Sequence, residues 1–358
     1  MRRGQFWRTM RSGVTAGCSF LLLAAALLSG CTPASPDCVQ PEVFCVGLVT
    51  EVGYIDDGAY NQAAWEGIEQ ARIVGVVDGA AYIESVDPRD YDENIRFFAT
   101  HGYDAIITVG GGLAEATREA AEQYRSIYFI GVDQAHDDGT GLELYPNLVG
   151  LVFPEDQIGF LAGALAARMS ETGQVGAVLA GEGSSSMRRY GEGFRAGAAS
   201  TDPLVQITLL YHNDVDLDQS FDDLEWGAIS AGTLVENDVD VLFAAGGQTG
   251  DGALLEAAAR GVYVIGAEVD QYDLLPASQP RLLTSAVKEI APGVTTLVSA
   301  ARDAQAERST FPAGTSVGTV GLAPYHFFET LVPEEIQSEM LAIVDGLQKG
   351  EIYTGVLP

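Results

Sequence analysis

The sequence is short of basic residues. Its 358 residues include 19 Lys and Arg against 50 Asp and Glu, which gives a formal net charge of −31. Residues 1–30 contain four of the arginines and no acid, so removing those four positive charges leaves −35 on the rest of the chain. A negative surplus of this size repels a phosphate backbone. We therefore expect no DNA or RNA polymer among the partners of this protein.

Cysteine is also scarce, with four residues in the whole chain. Cys18 and Cys31 belong to the N-terminal apolar region, which leaves Cys38 and Cys45 as the only other pair. Their spacing is not a zinc motif, and no second Cys or His pair accompanies it. We expect no bound metal, and the sequence leaves open whether Cys38 and Cys45 form the disulfide that an oxidising compartment would permit.

The apolar run LLLAAALL near the N-terminus is too short to span a bilayer comfortably. It follows the positive segment MRRGQFWRTMR and ends in LLSGC, an order typical of an export signal. LLSGC resembles the lipobox of bacterial lipoproteins, which implies a signal peptide over 1–30, acylation of Cys31 by chains such as palmitate, and anchoring at the extracytoplasmic face of the cell membrane. Residues 31–42 then form a tether. The alternative is an ordinary secretory signal followed by a chance cysteine.

Catalytic and phosphate-binding motifs are missing from the chain. The glycine-rich segments 110–112 and 246–252 lack the Gly-Lys-Ser/Thr of a P-loop, and neither has the spacing of a dinucleotide fingerprint after the first strand. The serines at 184–186 do not form a Gly-x-Ser-x-Gly elbow, and the four histidines lie in unrelated segments without a paired nucleophile motif. We therefore predict that the protein is not an enzyme and needs no cofactor.

The chain does contain apolar runs of strand length that alternate with helical patterns, in a composition that is 47% hydrophobic. Continuous Val, Ile and Leu runs suit a parallel sheet covered on both faces. The predicted strands are 44–50, 81–86, 104–109, 127–132, 175–180, 239–245 and 262–267. The predicted helices are 60–74, 90–101, 113–125, 155–170, 250–260 and 288–306.

This alternation predicts an α/β fold with parallel sheets and right-handed crossovers. The length favours about two domains, and a second set of units begins near residue 150. We expect an N-terminal lobe over 43–149 plus about 268–308, and a C-terminal lobe over 150–267 plus about 309–358.

Ligands of such sheets bind at the carboxyl ends of the strands. The segment YIDDGAYNQAAWEGIEQA at 54–71 follows the first predicted strand and opens a helix. Asp56 or Asp57 can cap that helix, and one carboxylate suffices for the cap. The second carboxylate, with Tyr60 and Asn61, would offer an acceptor, a stacking face and an amide to a polar ring. The other interpretation is a double-acid cap with Tyr60 in the core.

DDGAYNQAAWEGIEQA resembles the opening motif of the basic membrane protein (BMP) family of substrate-binding lipoproteins, which includes purine nucleoside receptors. Further segments occur in the order and approximate spacing of that family, and together they cover nearly all of 44–290. They are GVDQA (131–135), VFPEDQIGFLAGALAA (152–167), RRYGEGFRAGA (188–198), DVLFAAGGQTGDGALLEAA (240–258), VIGAEVDQ (264–271) and LLTSAVKE (282–289). The resemblance implies a type I periplasmic-binding-protein fold, with two doubly wound lobes joined by a hinge of several crossings.

The resemblance also implies a set of ligand-binding residues at the matching positions of this chain. Tyr60 falls where a Phe stacks on the base, and Asn61 and Asp57 lie beside it. Asp133 matches an Asp that bonds the base edge, and Glu268 matches an Asp that holds the ribose hydroxyls.

The remaining implied ligand residues come from the second half of the chain. Lys288 matches a Lys near the ligand, and Gly247 lies in the loop that approaches the sugar. Phe194 is the candidate for a second stacking ring, with Phe221 and Trp226 as alternatives. Two departures from the family pattern, Tyr for Phe at 60 and Glu for Asp at 268, put the identity of the ligand in doubt.

The sequence thus predicts a lipid-anchored substrate-binding protein of an ABC transporter that works as a monomer. It would bind a purine nucleoside or related compound between its lobes and present it to the permease and ATPase subunits. The alternative is a ligand-sensing or adhesive lipoprotein of the same fold without a role in transport.

Overall fold

The computed structural model describes residues 37–136 and 145–356. The predicted signal peptide, the acylation site Cys31 and the first part of the tether lie outside the described residues. The chain from Cys38 onward forms one compact unit, in which a disulfide joins Cys38 to Cys45. Among the described residues, no helix combines the length and the apolar character needed to cross a membrane.

One parallel sheet organises the first half of the chain, which we call lobe 1. Its described strands lie in the order β11-β5-β4-β3-β1-β2. Their bounds are β1 Cys45–Val52, β2 Gly79–Ser85, β3 Ala105–Val109, β4 Tyr128–Val132, β5 Leu148–Val152 and β11 Gly314–Val317. The helices of this lobe are α1 Tyr60–Ile73, α2 Tyr91–Thr100, α3 Ala114–Gln123 and α8 Ile290–Gln305.

Helices cover both faces of this sheet, which explains why its central strands are mostly apolar on both sides. Ile107 of β3 packs in the same buried cluster as Ile68 of α1 and Val294 of α8. Its neighbour Ile106 points the other way, into a cluster with Phe98 of α2. Successive side chains of a strand alternate between faces, so each face receives its own core.

A second sheet forms lobe 2, with its described strands in the order β12-β10-β9-β8-β6-β7. The bounds are β6 Gln174–Leu179, β7 Gln206–Tyr211, β8 Val241–Ala245, β9 Tyr263–Glu268, β10 Leu282–Lys288 and β12 Val320–Leu322. Only β12 runs antiparallel to its neighbour among these strands. The helices are α4 Glu155–Met169, α5 Ser185–Thr201, α6 Leu224–Glu236, α7 Gly247–Ala259 and α9 Glu334–Gln348.

Glycine lets α4 and α5 approach each other closely in lobe 2. A Cβ at Gly159 would collide with the backbone of Tyr190, and one at Gly163 would collide with the backbone of Phe194. This contact fixes the depth at which the aromatic side chains of α5 lie beneath the sheet.

The predicted two-lobed α/β fold is confirmed, but the sheets place the lobe boundaries differently from the sequence prediction. Strand β5 pairs with β4, so lobe 1 extends to Val152. Strand β10 pairs with β9, which puts residues up to Lys288 in lobe 2 instead of lobe 1. Strand β11 then returns to pair with β5 in lobe 1 before β12 rejoins lobe 2. The described chain therefore crosses between the lobes near residues 153, 289 and 318.

Candidate functional site

The carboxyl ends of the two sheets face each other and bring several of the predicted residues to one cleft. A cavity of about 280 Å³ is lined from lobe 1 by Tyr60 and from lobe 2 by Gly247 and Glu268. A second cavity of about 280 Å³ shares Ala59 and Val269 with the first and reaches Lys288. The two cavities therefore adjoin, and residues of both lobes line each of them.

Asp133 and Lys288 form an ion pair across the lobes. Asp133 follows β4 in lobe 1 and Lys288 ends β10 in lobe 2, and the Lys288 Nζ lies 3.1 Å from both carboxylate oxygens of Asp133. Only 3% of the Lys288 side chain is exposed, against 31% of Asp133. Burial lowers the pKa of Lys288, but Glu268, Asp133 and Glu155 together raise it above its ordinary value. Lys288 is therefore charged at neutral pH and held among carboxylates.

Tyr60 begins α1 and lies between these charges. The Lys288 ammonium is 5.2 Å from the centroid of the Tyr60 ring, within the range of a cation–π contact. Burial raises the pKa of the Tyr60 hydroxyl well above its ordinary value, and the charges of Glu268 and Asp133 raise it further. The hydroxyl is therefore a neutral hydrogen-bond donor on the wall of the cleft.

Glu268 is held in a defined direction by its backbone and by a neighbouring tyrosine. Its φ of 72° lies in the left-handed region, which costs a residue with a side chain about 1 kcal/mol or more. The hydroxyl of Tyr190 on α5 donates to Glu268 Oε1 at 3.0 Å. Asp133 has the same unusual backbone, with a φ of 59°. Strain of this kind at both ends of the cleft is typical of a functional site.

Asp57 acts as the cap of α1. Its Oδ1 accepts the backbone N–H groups of Ala59 and Gln62 at 2.7 and 3.1 Å, and its Oδ2 accepts that of Asn61 at 3.1 Å. Three N–H groups at the helix start are thereby satisfied, as expected for a capping carboxylate. The structure therefore favours the capping role of Asp57 over a role in ligand binding.

Asn61 is buried next to this cap, with 7% of its surface exposed. Its side-chain amide donates to the carbonyl of Tyr54 at 3.1 Å. Within the part of the chain that the structure describes, its Oδ1 is buried and has no hydrogen-bond partner. A buried acceptor without a partner is costly, so this oxygen is available to a donor that enters the site.

Phe194 is not in the cleft, and its predicted role as the second stacking ring is wrong for this conformation. The residue is fully buried and its ring stacks on Phe243, with centroids 5.6 Å apart and planes 9° apart. Of the two alternatives, Trp226 stacks on His212 with centroids 4.2 Å apart. The backbone carbonyl of Phe221 lies against Gly247, where a Cβ would come within 2.7 Å of it. Phe221 thus touches the cavity-lining Gly247 through its backbone.

Glu51, which the sequence analysis did not select, carries a further carboxylate at the same edge of lobe 1. It lies in β1, one position before the strand ends, and a Cβ at Gly110 or Gly112 would collide with its carboxyl group. Burial raises the pKa of Glu51, a backbone hydrogen bond from Gly112 lowers it, and the charge of Asp133 raises it again, for a net increase. An acid directly after the buried run FCVGLVT was the available signal.

The arrangement offers hydrogen-bond acceptors, a half-buried aromatic wall and a buried cation, which is the chemistry of recognition. No group of three His, Cys, Asp or Glu side chains suited to a metal ion occurs among the described residues. A two-lobed α/β protein with carboxyl strand ends facing one polar cleft belongs to the class of type I periplasmic binding proteins.

Comparison with known proteins identifies the family within this class. The family model described as "ABC transporter substrate-binding protein PnrA-like" (Bmp) matches residues 44–345. The chain therefore belongs to the PnrA-like family of ABC transporter substrate-binding proteins, which confirms the resemblance. Proteins of this family bind solutes outside the cytoplasmic membrane for ABC permeases and are not enzymes, as predicted.

Curated relatives match over most of their length. The chain is 29% identical over 321 residues to the "CD4+ T-cell-stimulating antigen" of Listeria monocytogenes, covering 84% of this chain and 85% of the relative. It is 26% identical over 328 residues to the "ABC transporter nucleoside-binding protein BmpA" of Lactococcus lactis, covering 86% and 88%.

Solved structures support the fold. An ABC transporter solute-binding protein from Conexibacter woesei superposes with a TM-score of 0.70 at 23% identity, over 88% of this chain and 99% of that one. A solute-binding protein from Aeropyrum pernix gives 0.63 at 20% identity, over 87% and 92%. At these identities the likeness concerns the fold alone.

Proposed function

We propose that this protein binds a purine nucleoside, or a closely related compound, in its interlobe cleft and delivers it to the permease of an ABC transporter driven by an ATPase subunit. The observation that carries the proposal is the convergence of Tyr60, Asp133, Glu268 and Lys288, from both lobes, on one cleft.

Each part of a nucleoside finds a complementary group in this cleft. The Tyr60 ring offers a flat face, and stacking of a base on an aromatic ring contributes about 1–3 kcal/mol. The carboxylates of Asp133 and Glu51 accept hydrogen bonds from ring N–H groups, and Glu268 accepts them from sugar hydroxyls. The name of the Lactococcus relative, a nucleoside-binding protein, supports the same ligand class.

Lobe closure would couple binding to transport. Asp133 and Lys288 lie on different lobes, so their ion pair joins the two lobes beside the crossing near residue 289. A ligand that bridges the same two lobes favours the closed form by its own contacts. We expect the closed monomer to be the form that the permease recognises.

The proposed lipid anchor is Cys31, which lies outside the described residues. Cys31→Ser should release the exported protein from the membrane into the medium or the periplasm, because acyl chains supply the anchor. Fractionation with an antibody to the protein measures this. Continued membrane association of the serine variant would refute acylation of Cys31 as the anchor.

A ligand screen tests the proposed function directly. The chain from Thr32 onward, which includes the whole compact unit, is heated with nucleosides, free bases, sugars or amino acids. A ligand that binds only the folded state raises the melting temperature by mass action. We expect a selective increase with guanosine, adenosine or inosine. A flat response to nucleosides with an increase from another class would overturn the nucleoside assignment.

A further inference from the structure

The hydroxyl of Tyr60 and the carboxylate of Glu268 lie opposite each other across the cleft. Both residues line the same cavity of about 280 Å³, one from lobe 1 and the other from lobe 2. The charge of Glu268 is among the causes that raise the pKa of Tyr60, as expected for two groups close together on one cavity.

A second tyrosine holds the same carboxylate from inside lobe 2. Tyr190 is fully buried, with its ring centroid 6.2 Å from that of Phe243 and its backbone against Gly159. Its hydroxyl donates to Glu268 Oε1 at 3.0 Å. Because close packing fixes the ring, the hydroxyl orients the carboxylate and cannot follow it elsewhere.

The other hydrogen-bond acceptor sites of the Glu268 carboxylate face the cavity. A carboxylate offers about four acceptor sites on its two oxygens, and the Tyr190 hydroxyl takes up one of them. The others suffice for two donors of the ligand. Two neighbouring acceptor sites in a fixed direction match two adjacent hydroxyl groups, such as the 2′ and 3′ hydroxyls of a ribose.

We propose that Tyr190 is a positioning residue for Glu268 and that the carboxylate it orients selects ligands with adjacent hydroxyl groups. The inference rests on the proposed function, because it concerns the sugar end of a nucleoside. It assigns Tyr190, a residue buried inside lobe 2, a role in selectivity.

The first test compares inosine with 2′,3′-dideoxyinosine by isothermal titration calorimetry. We expect the wild type to prefer inosine and Tyr190→Phe to reduce that preference about five- to tenfold, the usual effect of losing one intramolecular hydrogen bond. The affinity for the dideoxy compound should stay within about twofold.

Tyr263→Phe is the matched control, since Tyr263 begins β9, the strand that Glu268 ends. It should leave the preference unchanged. An equal loss for both ligands in Tyr190→Phe would show a purely structural role and overturn the proposal.

The second test needs no ligand. Tyr190→Phe should lower the melting temperature by about 2 °C in the wild-type background and by less than half of that in a Glu268→Ala background, because the hydroxyl then has lost its acceptor. Additive effects would overturn the coupling between Tyr190 and Glu268. If no nucleoside binds the wild type, the proposed function and the selectivity both fail, whereas this thermal cycle still decides the positioning role.

Discussion

Equivalent strands of the two lobes finish with the same short sequence pattern, which an acidic residue completes. The two lobes differ in the group that pairs with this acidic residue. Strand β4 reads IGV before Asp133 and β9 reads IGA before Glu268, and each is the third strand from the β11 or β12 edge of its sheet. Both acids have a left-handed backbone. Asp133 is paired with Lys288 of the other lobe, whereas Glu268 is held by Tyr190 of its own lobe.

This difference divides the cleft into a preorganised half and an assembled half. When the lobes separate, Glu268 keeps the hydrogen bond from Tyr190, because both belong to lobe 2. Asp133 instead depends on Lys288, which belongs to the other lobe. Lobe 2 therefore presents an acceptor that is held within the lobe, whereas the acceptor of lobe 1 is held by a contact between the lobes.

The largest expected effect distinguishes Phe194 of lobe 2, which should matter for stability, from Tyr60 of lobe 1, which should matter for binding. Phe194→Ala should lower the free energy of unfolding by about 3–5 kcal/mol, the usual result of truncating a fully buried Phe. Tyr60→Ala should instead leave the melting temperature within a few degrees and weaken nucleoside binding at least about tenfold. Urea unfolding and calorimetry measure the two quantities. A stable Phe194→Ala variant that fails to bind would restore Phe194 to the ligand site.

Removing the acid of lobe 1 should cost more affinity than removing that of lobe 2. Asp133→Ala deletes an acceptor and leaves the buried Lys288 with one carboxylate fewer, so we expect about a hundredfold loss. Glu268→Ala should cost about tenfold. The exposed Asp56→Ala is the control and should change affinity less than twofold. Equal losses for the two site variants would remove the distinction between the halves.

Alkaline pH should weaken the ion pair between Asp133 and Lys288, because it removes the proton from Lys288. The pKa of Lys288 is raised in the folded protein, so its contribution is complete below the ordinary pKa of Lys and is lost as pH rises through the folded pKa. Unfolding by urea at pH 8 and at pH 11 should show a smaller loss of stability for Lys288→Met than for the wild type. Lys349→Met, an exposed residue paired with Asp345, should lose as much stability as the wild type.

The smallest effect concerns the start of α1. Asp57→Ala should lower stability by about 1 kcal/mol through the lost cap and change nucleoside affinity less than about threefold, because its oxygens serve the helix backbone. Thermal unfolding and calorimetry measure these values. A large loss of affinity with unchanged stability would return Asp57 to the ligand site.

Several strands buried on both faces could be predicted from the sequence, because β1, β3, β4, β8 and β9 are mostly apolar runs. Strands β5 and β10 are buried as well but were not among the predicted strands. Strand β7 was missed because it is an edge strand whose residues are only half buried or exposed. The short edge strands β11 and β12 follow crossings between the lobes, and no local pattern encodes such pairing. Helix α5 was missed because three glycines interrupt its sequence, yet those at 193 and 197 admit the backbone of α4.

The candidate site could be predicted where the chemistry follows a strand end. Tyr60, Asp133, Glu268 and Lys288 each stand at such a junction, and the structure brings them to one cleft. The prediction for Phe194 was wrong because the depth of its side chain beneath the sheet depends on how closely α4 approaches α5. The spacing of residues along α5 does not encode that approach. Tyr190 lies four residues earlier on the same helix, about one turn away, and was overlooked for the same reason.

The disulfide has a mechanical consequence. Cys45 is the first residue of β1, at the end of the sheet opposite the cleft, and its backbone N–H is held by Asp104 at 2.8 Å. A force applied to the chain before Cys38 therefore reaches lobe 1 at this disulfide. The hydrogen bonds that join β1 to β2 and β3 resist that force in shear. The force is thus taken up by the sheet of lobe 1 and does not act on the crossings between the lobes. A molecule held by its N-terminus therefore remains free to open and close its hinge.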